Sequence, residues 1–431
     1  MTARLGISYG RDVIQLNIPS ARLAFDLQPA DMDAVADGET EILRALAEPI
    51  GTDPLADLVS PGQRVCVMGD DATRITPTDV ITPLVLDELN AGGVSDDDIV
   101  LVIATGTHRA ITAEELVAKY GKVVTDRVEV LNHDCMDADN LTFCGKTSRG
   151  TEIWVSKTVL NADIRVGIGN IVPHHPTGWS GGAKILLPGV ASRLTTGQMH
   201  LLGAAEQLLG ETDTPCRQEM EDFAASVGLD FIVNTVLDRN GQLIRAVAGH
   251  YIRAHRQGVT WGRKVFGSAF TDRADITLSS CYPTDLDLFQ ADKGLFSAAR
   301  CTTPGGEILL ISPCTEGVSP THPEAIELSC LNDAELWRLA EEGNDHDPLS
   351  VAEALYFNTI KRDYRATLVT EGISAGLAMK MGFGCIQPGE LPGYIQARLA
   401  DEPGKTVGIL RNSVETLPVH KAKGDRPNEV V

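Results

Sequence analysis

The chain has no C-x-x-C pair, no long apolar run and no excess of basic charge. Its nine cysteines are scattered and odd in number. That pattern fits reduced thiols and excludes a disulfide framework and a structural zinc site. No window approaches the length of a membrane-spanning helix, and the opening MTARLGISYGRDVIQL lacks the apolar core of a secretory leader. A cytoplasmic protein is expected. Only 37 basic residues stand against 59 acidic ones, a net charge of −22. Nucleic acid and anionic membrane both reward a basic face, so neither is expected as a partner. A small anionic substrate stays open, because a few local cations can dominate one site. Repeats, low-complexity tracts and coiled-coil heptads are missing too. What is there is 43% hydrophobic and 22% charged, the balance of a soluble globular protein. At 431 residues the chain is too long for one ordinary core, so two domains are expected.

Apolar runs of strand length recur, each followed by a polar or glycine-rich loop and then a helical pattern. Arg64–Gly69, Asp98–Thr105 and Asp163–Gly169 read as buried strands. Thr76 and Pro77 suit the start of a helix that stops at Gly92-Gly93. Thr112 and Glu115 suit a capping box on a helix ending near Gly121. Ser192–Leu209 reads as a helix carrying His200, and Asn240-Gly241 signals a hairpin. A helix over His250–Phe266 leads to a second run of elements: a strand at Ala274–Ser280, a helix at Leu286–Cys301 and a strand at Gly306–Ser312. Later strands are expected at Ala366–Thr370 and Lys405–Leu410, and the last dozen residues are polar and expected to fray. The fold expected is α/β, with two domains, mainly parallel sheets and an active-site cleft between them. Residues 1–265 form the cofactor-binding, catalytic domain in this reading, and residues 266–431 close over the substrate site.

Three loops follow the carboxyl ends of strands, where open α/β sheets gather ligands. The longest is NIVPHHPTGWSGGAKILLPG, Asn170 to Gly189. Its glycines raise the entropic cost of ordering, a cost that backbone close to a ligand explains. Lys184 then stands at a crowded, partly desolvated point where its amine can act as a nucleophile. A tight strand-to-helix turn with a surface lysine is the plain alternative. In DDATRITP, Asp70 to Pro77, Arg74 can grip a carboxylate or phosphate with two parallel hydrogen bonds. Asp71 can orient that arginine or accept from a ligand hydroxyl, although aspartates also simply suit a helix start. GTHR places His108 directly after a buried strand, as a proton shuttle or metal ligand. His133 reads as structural. Gln290 and Lys293, three residues apart on one helical face, can meet a carboxylate across a cleft.

Conventional motifs do not unify these pieces. His108, His174, His175 and His200 match no zinc spacing. Lys184 is followed by Ile185, so the loop is not a Walker A sequence. Ser180 is four residues before Lys184, which misses the S-x-x-K pattern.

Together, however, the order and separation of the pieces from about Gly51 to Gly317 resemble the nickel-pincer lactate racemase family. That resemblance implies a nickel pincer nucleotide (pyridinium-3-thioamide-5-thiocarboxylic acid mononucleotide), whose ring holds Ni(II) through two sulfurs and a carbon. Lys184 matches the lysine that tethers it through a thioamide, with Gly181 and Gly182 offering bare backbone for its approach and Asp71 placed at the cofactor. His200 of GQMHLLG matches the histidine that completes square-planar nickel. His108 and His174 match the acid/base pair, and Arg74, Gln290 and Lys293 the substrate-binding residues. The implied reaction inverts C2 of a 2-hydroxy acid by hydride transfer to the cofactor coupled to proton transfer by the two histidines. Cofactor maturation enzymes are implied partners, and a homo-oligomer is left open.

The chain departs from the family at the edges of this pattern. His175-Pro176-Thr177 follow His174 where the lactate enzymes have aromatic residues, Ala183 stands for an arginine and Phe289 for a tyrosine. These changes point away from lactate toward a larger or more hydroxylated 2-hydroxy acid, sugar acids included. Two rival readings remain at this level: a zinc-type hydrolase or lyase built on His108, His174 and His200, and a non-catalytic hydroxy-acid-binding protein.

Overall fold

β-branched and apolar runs build two six-stranded sheets, and the polar residues that end those runs reach one shared cavity. The computed structural model describes residues 2–204, 206, 208–343 and 346–421. In the first sheet the spatial order is Leu243–Gly249, Phe231–Leu237, Ile164–Asn170, Val65–Gly69, Ile99–Ile103 and Glu129–Asn132. All neighbours are parallel except the first two, which form the antiparallel hairpin signalled by Asn240-Gly241. Val65–Gly69 is buried throughout, which is why it reads as a continuous apolar run rather than an alternating one. Ile81, Val85, Leu89, Tyr120 and Val124 cover one face of this sheet. Leu186, Leu187, Val190 and Phe223 fill the other.

The second sheet is wholly parallel, in the order Gly384–Ile386, Arg365–Val369, Thr302–Ile311, Ala274–Ser280, Val407–Leu410 and Leu23–Leu27. Its edge strand comes from the start of the chain, ahead of every strand of the first sheet. Leu23–Leu27 pairs with Val407–Leu410, and Arg411 grips Asp26 with two bonds of 2.7 and 2.9 Å. The preceding hairpin, Thr2–Tyr9 with Asp12–Pro19, buries Ile7, Leu16 and Ile18 against Ile276, Leu278 and Leu309. Residues 2–27 therefore pack with the second sheet, although the chain then crosses to build the first. Sequence order carries no signal for which sheet edge a short strand will join.

Several element boundaries also differ from the sequence reading. Thr76 does not cap its helix; its hydroxyl donates to Asp70 Oδ2 at 2.5 Å, and the helix begins at Thr78. The capping box at Thr112 and Glu115 is present, and Gly121 breaks the helix at φ 76°, but helical chain resumes and runs to Arg127. The helix carrying His200 ends at Leu201 rather than Leu209. Leu286–Cys301 divides at Asp292 into Leu288–Ala291 and Lys293–Cys301. Of the expected frayed tail, Ala422–Val431 lie outside the described residues. Among the described residues no helix is long and apolar enough to cross a membrane.

Candidate active site

Where the carboxyl ends of Val65–Gly69, Ile99–Ile103 and Ile164–Asn170 meet elements of the second sheet, a cavity opens. Arg74, Asp71, His108, His174, Gly181, Gly182, Lys184, His200, Gln290 and Lys293 all line it. Ten residues spread over more than two hundred positions of sequence thus converge. His133 does not line the cavity; it is buried against the Ala191 carbonyl at 2.9 Å.

The partners of His108 fix its tautomer. Its Nδ1 is 2.7 Å from Asp71 Oδ2, and a carboxylate can only accept, so Nδ1 carries the hydrogen. Gln290 Oε1 accepts from Lys293 Nζ at 3.0 Å, which turns the Gln290 amide nitrogen toward His108 Nε2 at 3.4 Å. Nε2 is therefore the basic nitrogen. Asp71 lines the cavity and is hydrogen-bonded through both carboxylate oxygens. Oδ2 serves His108, and Oδ1 accepts from the Thr73 backbone N–H and hydroxyl. Burial would raise its pKa, yet the hydrogen bond and charge of His108, aided by Arg74, hold it well below the usual carboxylate range.

His174 is fixed in the same way by a neutral partner. The Thr177 hydroxyl donates to the Trp179 carbonyl at 2.9 Å, so its oxygen can only accept from His174 Nδ1, also at 2.9 Å. His174 Nε2 keeps its lone pair. Burial, reinforced by Lys184 and Lys293, pushes this imidazole well below its ordinary value. Each histidine thus offers an Nε2 lone pair to the cavity, from its own strand-end loop.

Lys184 is half-buried in a short 3-10 turn, Gly182–Ile185. Its amine has no hydrogen-bond partner among the described residues. Desolvation, with Arg74, Lys293 and Arg217 nearby, holds it well below the ordinary lysine value, which favours the neutral, nucleophilic form. Gly181 and Gly182 have φ of 75° and 61°. A Cβ on Gly181 would lie 2.8 Å from Asn234 Oδ1, and one on Gly182 3.0 Å from the His255 ring. Local conformation and packing therefore already require these glycines, whatever approaches their cavity side. Asn234 Oδ1 accepts from the Gly182 N–H at 2.8 Å, and the Arg217 guanidinium donates to the Gly181 carbonyl at 3.0 Å. The loop that presents Lys184 is held rigid from behind.

His200 stands in the last turn of Arg193–Leu201. Tyr356 donates to the His200 carbonyl at 2.9 Å and so accepts from His200 Nδ1 at 3.2 Å. That leaves Nε2 free, the arrangement an imidazole needs to ligate a metal. Desolvation, with Lys184 and Lys293 adding repulsion, pushes the ring down to about 3. Among the described residues no three of His, Cys, Asp and Glu group as a metal site. His108, His174 and His200 share a cavity but do not form a zinc triad.

Several residues of this cavity escaped the sequence reading. Leu349, Glu353 and Tyr356 line it from the helix Pro348–Asp363. Glu353 and Asp292 are buried, and Glu353 Oε1 has no hydrogen-bond partner among the described residues. Desolvation raises both pKa values against the pull of Lys293. His175 stacks on Phe296 at 3.7 Å and meets Tyr356 edge-on, with neither ring nitrogen bonded. The one signal in the sequence was Glu353 itself, an acid on an otherwise apolar helical face.

Comparisons with known proteins show the family and the fold. Residues 9–209 match the family described as the lactate racemase N-terminal domain. The lactate racemase of Thermoanaerobacterium thermosaccharolyticum is 30% identical over 323 residues, covering 73% of this chain and 75% of that one. The lactate racemase of Lactiplantibacillus plantarum is 31% identical over 280 residues, 64% of this chain and 66% of the other. The fold is that of the Thermoanaerobacterium thermosaccharolyticum lactate racemase apoprotein, with a TM-score of 0.84 at 24% identity over 97% of this chain and 100% of that one. A Thermotoga maritima protein aligns with a TM-score of 0.71 at 19% identity, over 91% and 100% of the two chains.

Proposed function

The chain belongs to the lactate racemase family, and from that premise we propose that it inverts C2 of a 2-hydroxy acid in the cavity described, with a nickel pincer nucleotide attached to Lys184. One observation carries the reading: His108 and His174 each have Nδ1–H committed to a fixed acceptor and Nε2 basic, in the cavity that also holds the Lys184 amine, which has no hydrogen-bond partner among the described residues. The residues fit the group. A neutral Lys184 amine suits covalent attachment, and His200, with Nδ1 engaged by Tyr356, offers Nε2 as a nickel ligand.

When bound, the nickel pincer group supplies the acceptor and donor for the C2 hydride. The chain's own side chains do the rest. Arg74 and Lys293 hold the substrate carboxylate by charge-assisted hydrogen bonds. One histidine takes the hydroxyl proton and the other returns a proton on the opposite side, which is what inversion of a stereocentre requires. Gln290 holds Lys293 and the His108 ring in register, and closure of the cavity keeps water from the reacting centre.

The substrate is read as a hydroxylated 2-hydroxy acid rather than lactate. Asp292, Glu353 and His175 supply both donors and acceptors to the cavity wall, which suit hydroxyl groups and would be left unpaired beside a methyl. Residues carrying the acid/base chemistry come from the first sheet and residues gripping substrate largely from the second, which supports a division into two units.

The test is intact-mass analysis with nickel quantification after co-expression with the cofactor maturation enzymes, followed by polarimetry on a panel of 2-hydroxy acids. An adduct on Lys184 with about one nickel per chain, and inversion of a hydroxylated acid, is expected. No adduct and no nickel, beside a lactate racemase control that loads normally, would overturn the reading.

A further inference from the structure

Outside the cavity lining, His322 joins the two halves of the molecule. Its side chain is fully enclosed. Nδ1 is 2.7 Å from Asp347 Oδ2, so it donates its hydrogen to that carboxylate, and Nε2 accepts from the Thr107 hydroxyl at 3.1 Å. His322 and Asp347 follow the second sheet's strand Thr302–Ile311, whereas Thr107 follows the first sheet's strand Ile99–Ile103 and immediately precedes His108.

Each neighbour of His322 is one step from the site. Asp347 caps the helix Pro348–Asp363, accepting from the Leu349 N–H at 3.3 Å and the Ser350 hydroxyl at 2.8 Å. That helix presents Glu353 and Tyr356 to the cavity. Phe289 stacks on the His322 ring at 4.9 Å and 19°, and the next residue, Gln290, meets His108 Nε2. Arg193, the first residue of the helix that ends near His200, donates to the Thr321 carbonyl and approaches Asp347 Oδ1 at 3.7 Å.

We propose that Thr107–His322–Asp347 is a latch that holds the site loops of the two sheets closed on each other, with His322 a positioning residue for His108 and Gln290. A buried hydrogen bond is suited to this task because losing it leaves His322 Nε2 without a partner, so the closed arrangement has one defined geometry. The proposal rests on the functional reading above only for the role of His108; closure of the Thr107 loop is independent of it.

The experiment compares Thr107→Val, which removes the hydroxyl at nearly constant shape, with Thr107→Ser, which keeps it, and His322→Phe, which keeps the stack on Phe289. In the nickel-loaded protein, Thr107→Val and His322→Phe should each raise KM about tenfold with a smaller fall in kcat, because Gln290 and Lys293 are the groups released. The double variant should be no worse than either single one. Amide exchange across residues 105–108 in the unloaded protein should accelerate in Thr107→Val and stay at the parent rate in Thr107→Ser. Unchanged exchange in Thr107→Val would overturn the latch, as would additive kinetic losses. If the parent protein inverts no 2-hydroxy acid, the functional reading fails while amide exchange still decides the latch.

Discussion

Tyr356 Oη meets His200 twice, donating to its carbonyl oxygen at 2.9 Å and accepting from its Nδ1 at 3.2 Å. Because the hydroxyl has one proton and spends it on the carbonyl, His200 is held as the Nδ1–H tautomer with Nε2 open. Tyr356→Phe removes that restraint and leaves the ring's packing against His175 and Phe296. Nickel affinity is expected to fall about 10- to 100-fold, with the covalent adduct at Lys184 unaffected. Nickel titration against a competing chelator, with intact mass as control, measures both.

Asp71→Asn is expected to keep the fold and the adduct but lower kcat by about 10²- to 10⁴-fold, the usual range for a lost acid/base contribution. An amide can donate to His108 Nδ1, which favours the opposite tautomer and takes the lone pair away from the cavity side. Single-turnover kinetics on loaded enzyme, free of binding effects at saturating substrate, would show parent-like rates if Asp71 did not act through His108.

Thr177→Val removes the acceptor for His174 Nδ1. An uncompensated buried N–H costs about 1–3 kcal/mol, so the ring is expected to turn or change tautomer and kcat to fall at least about tenfold. Thr177→Ser should restore the rate. Comparing the two variants separates the hydroxyl from the shape of the side chain.

Glu415 gives a pH dependence with a definite sign. Burial raises its pKa to about 7 against the pull of Arg74, whereas an unfolded glutamate titrates near 4.3. Between those values the folded state binds more protons than the unfolded one, so the carboxyl's contribution is fully present below the unfolded value and is lost as pH rises through about 7. Glu415→Gln should therefore raise Tm at pH 8 relative to the parent and leave the difference near zero at pH 4. Equal effects at the two pH values would refute the assignment.

Much of the site was legible in the sequence because its residues lie in three loops at strand ends. Arg74, His108, His174 and Lys184 were all identifiable there, and the structure lines one cavity with all four and with His200 from the helix that follows. Their polar character at the end of apolar runs is a local property that needs no tertiary information. The residues that orient them were not legible. Thr177 and Tyr356 are ordinary by composition, and their roles arise only from where their single hydroxyl proton goes. Asp71 was visible, but its bond to His108 was not, since neither spacing nor charge says which nearby acceptor a histidine will choose.

The sequence by itself determined the α/β class, most strands of both sheets and the chemistry of the loops, because burial periodicity and residue type are local. Only the tertiary structure decided that Leu23–Leu27 joins the second sheet and that the hairpin before it packs there. It alone set Asp292 against Glu353, and it alone placed His322 between Thr107 and Asp347. Those are pairings between segments far apart in the chain. They depend on how apolar faces stack and which buried polar groups are left needing a partner, and no stretch of sequence contains that information.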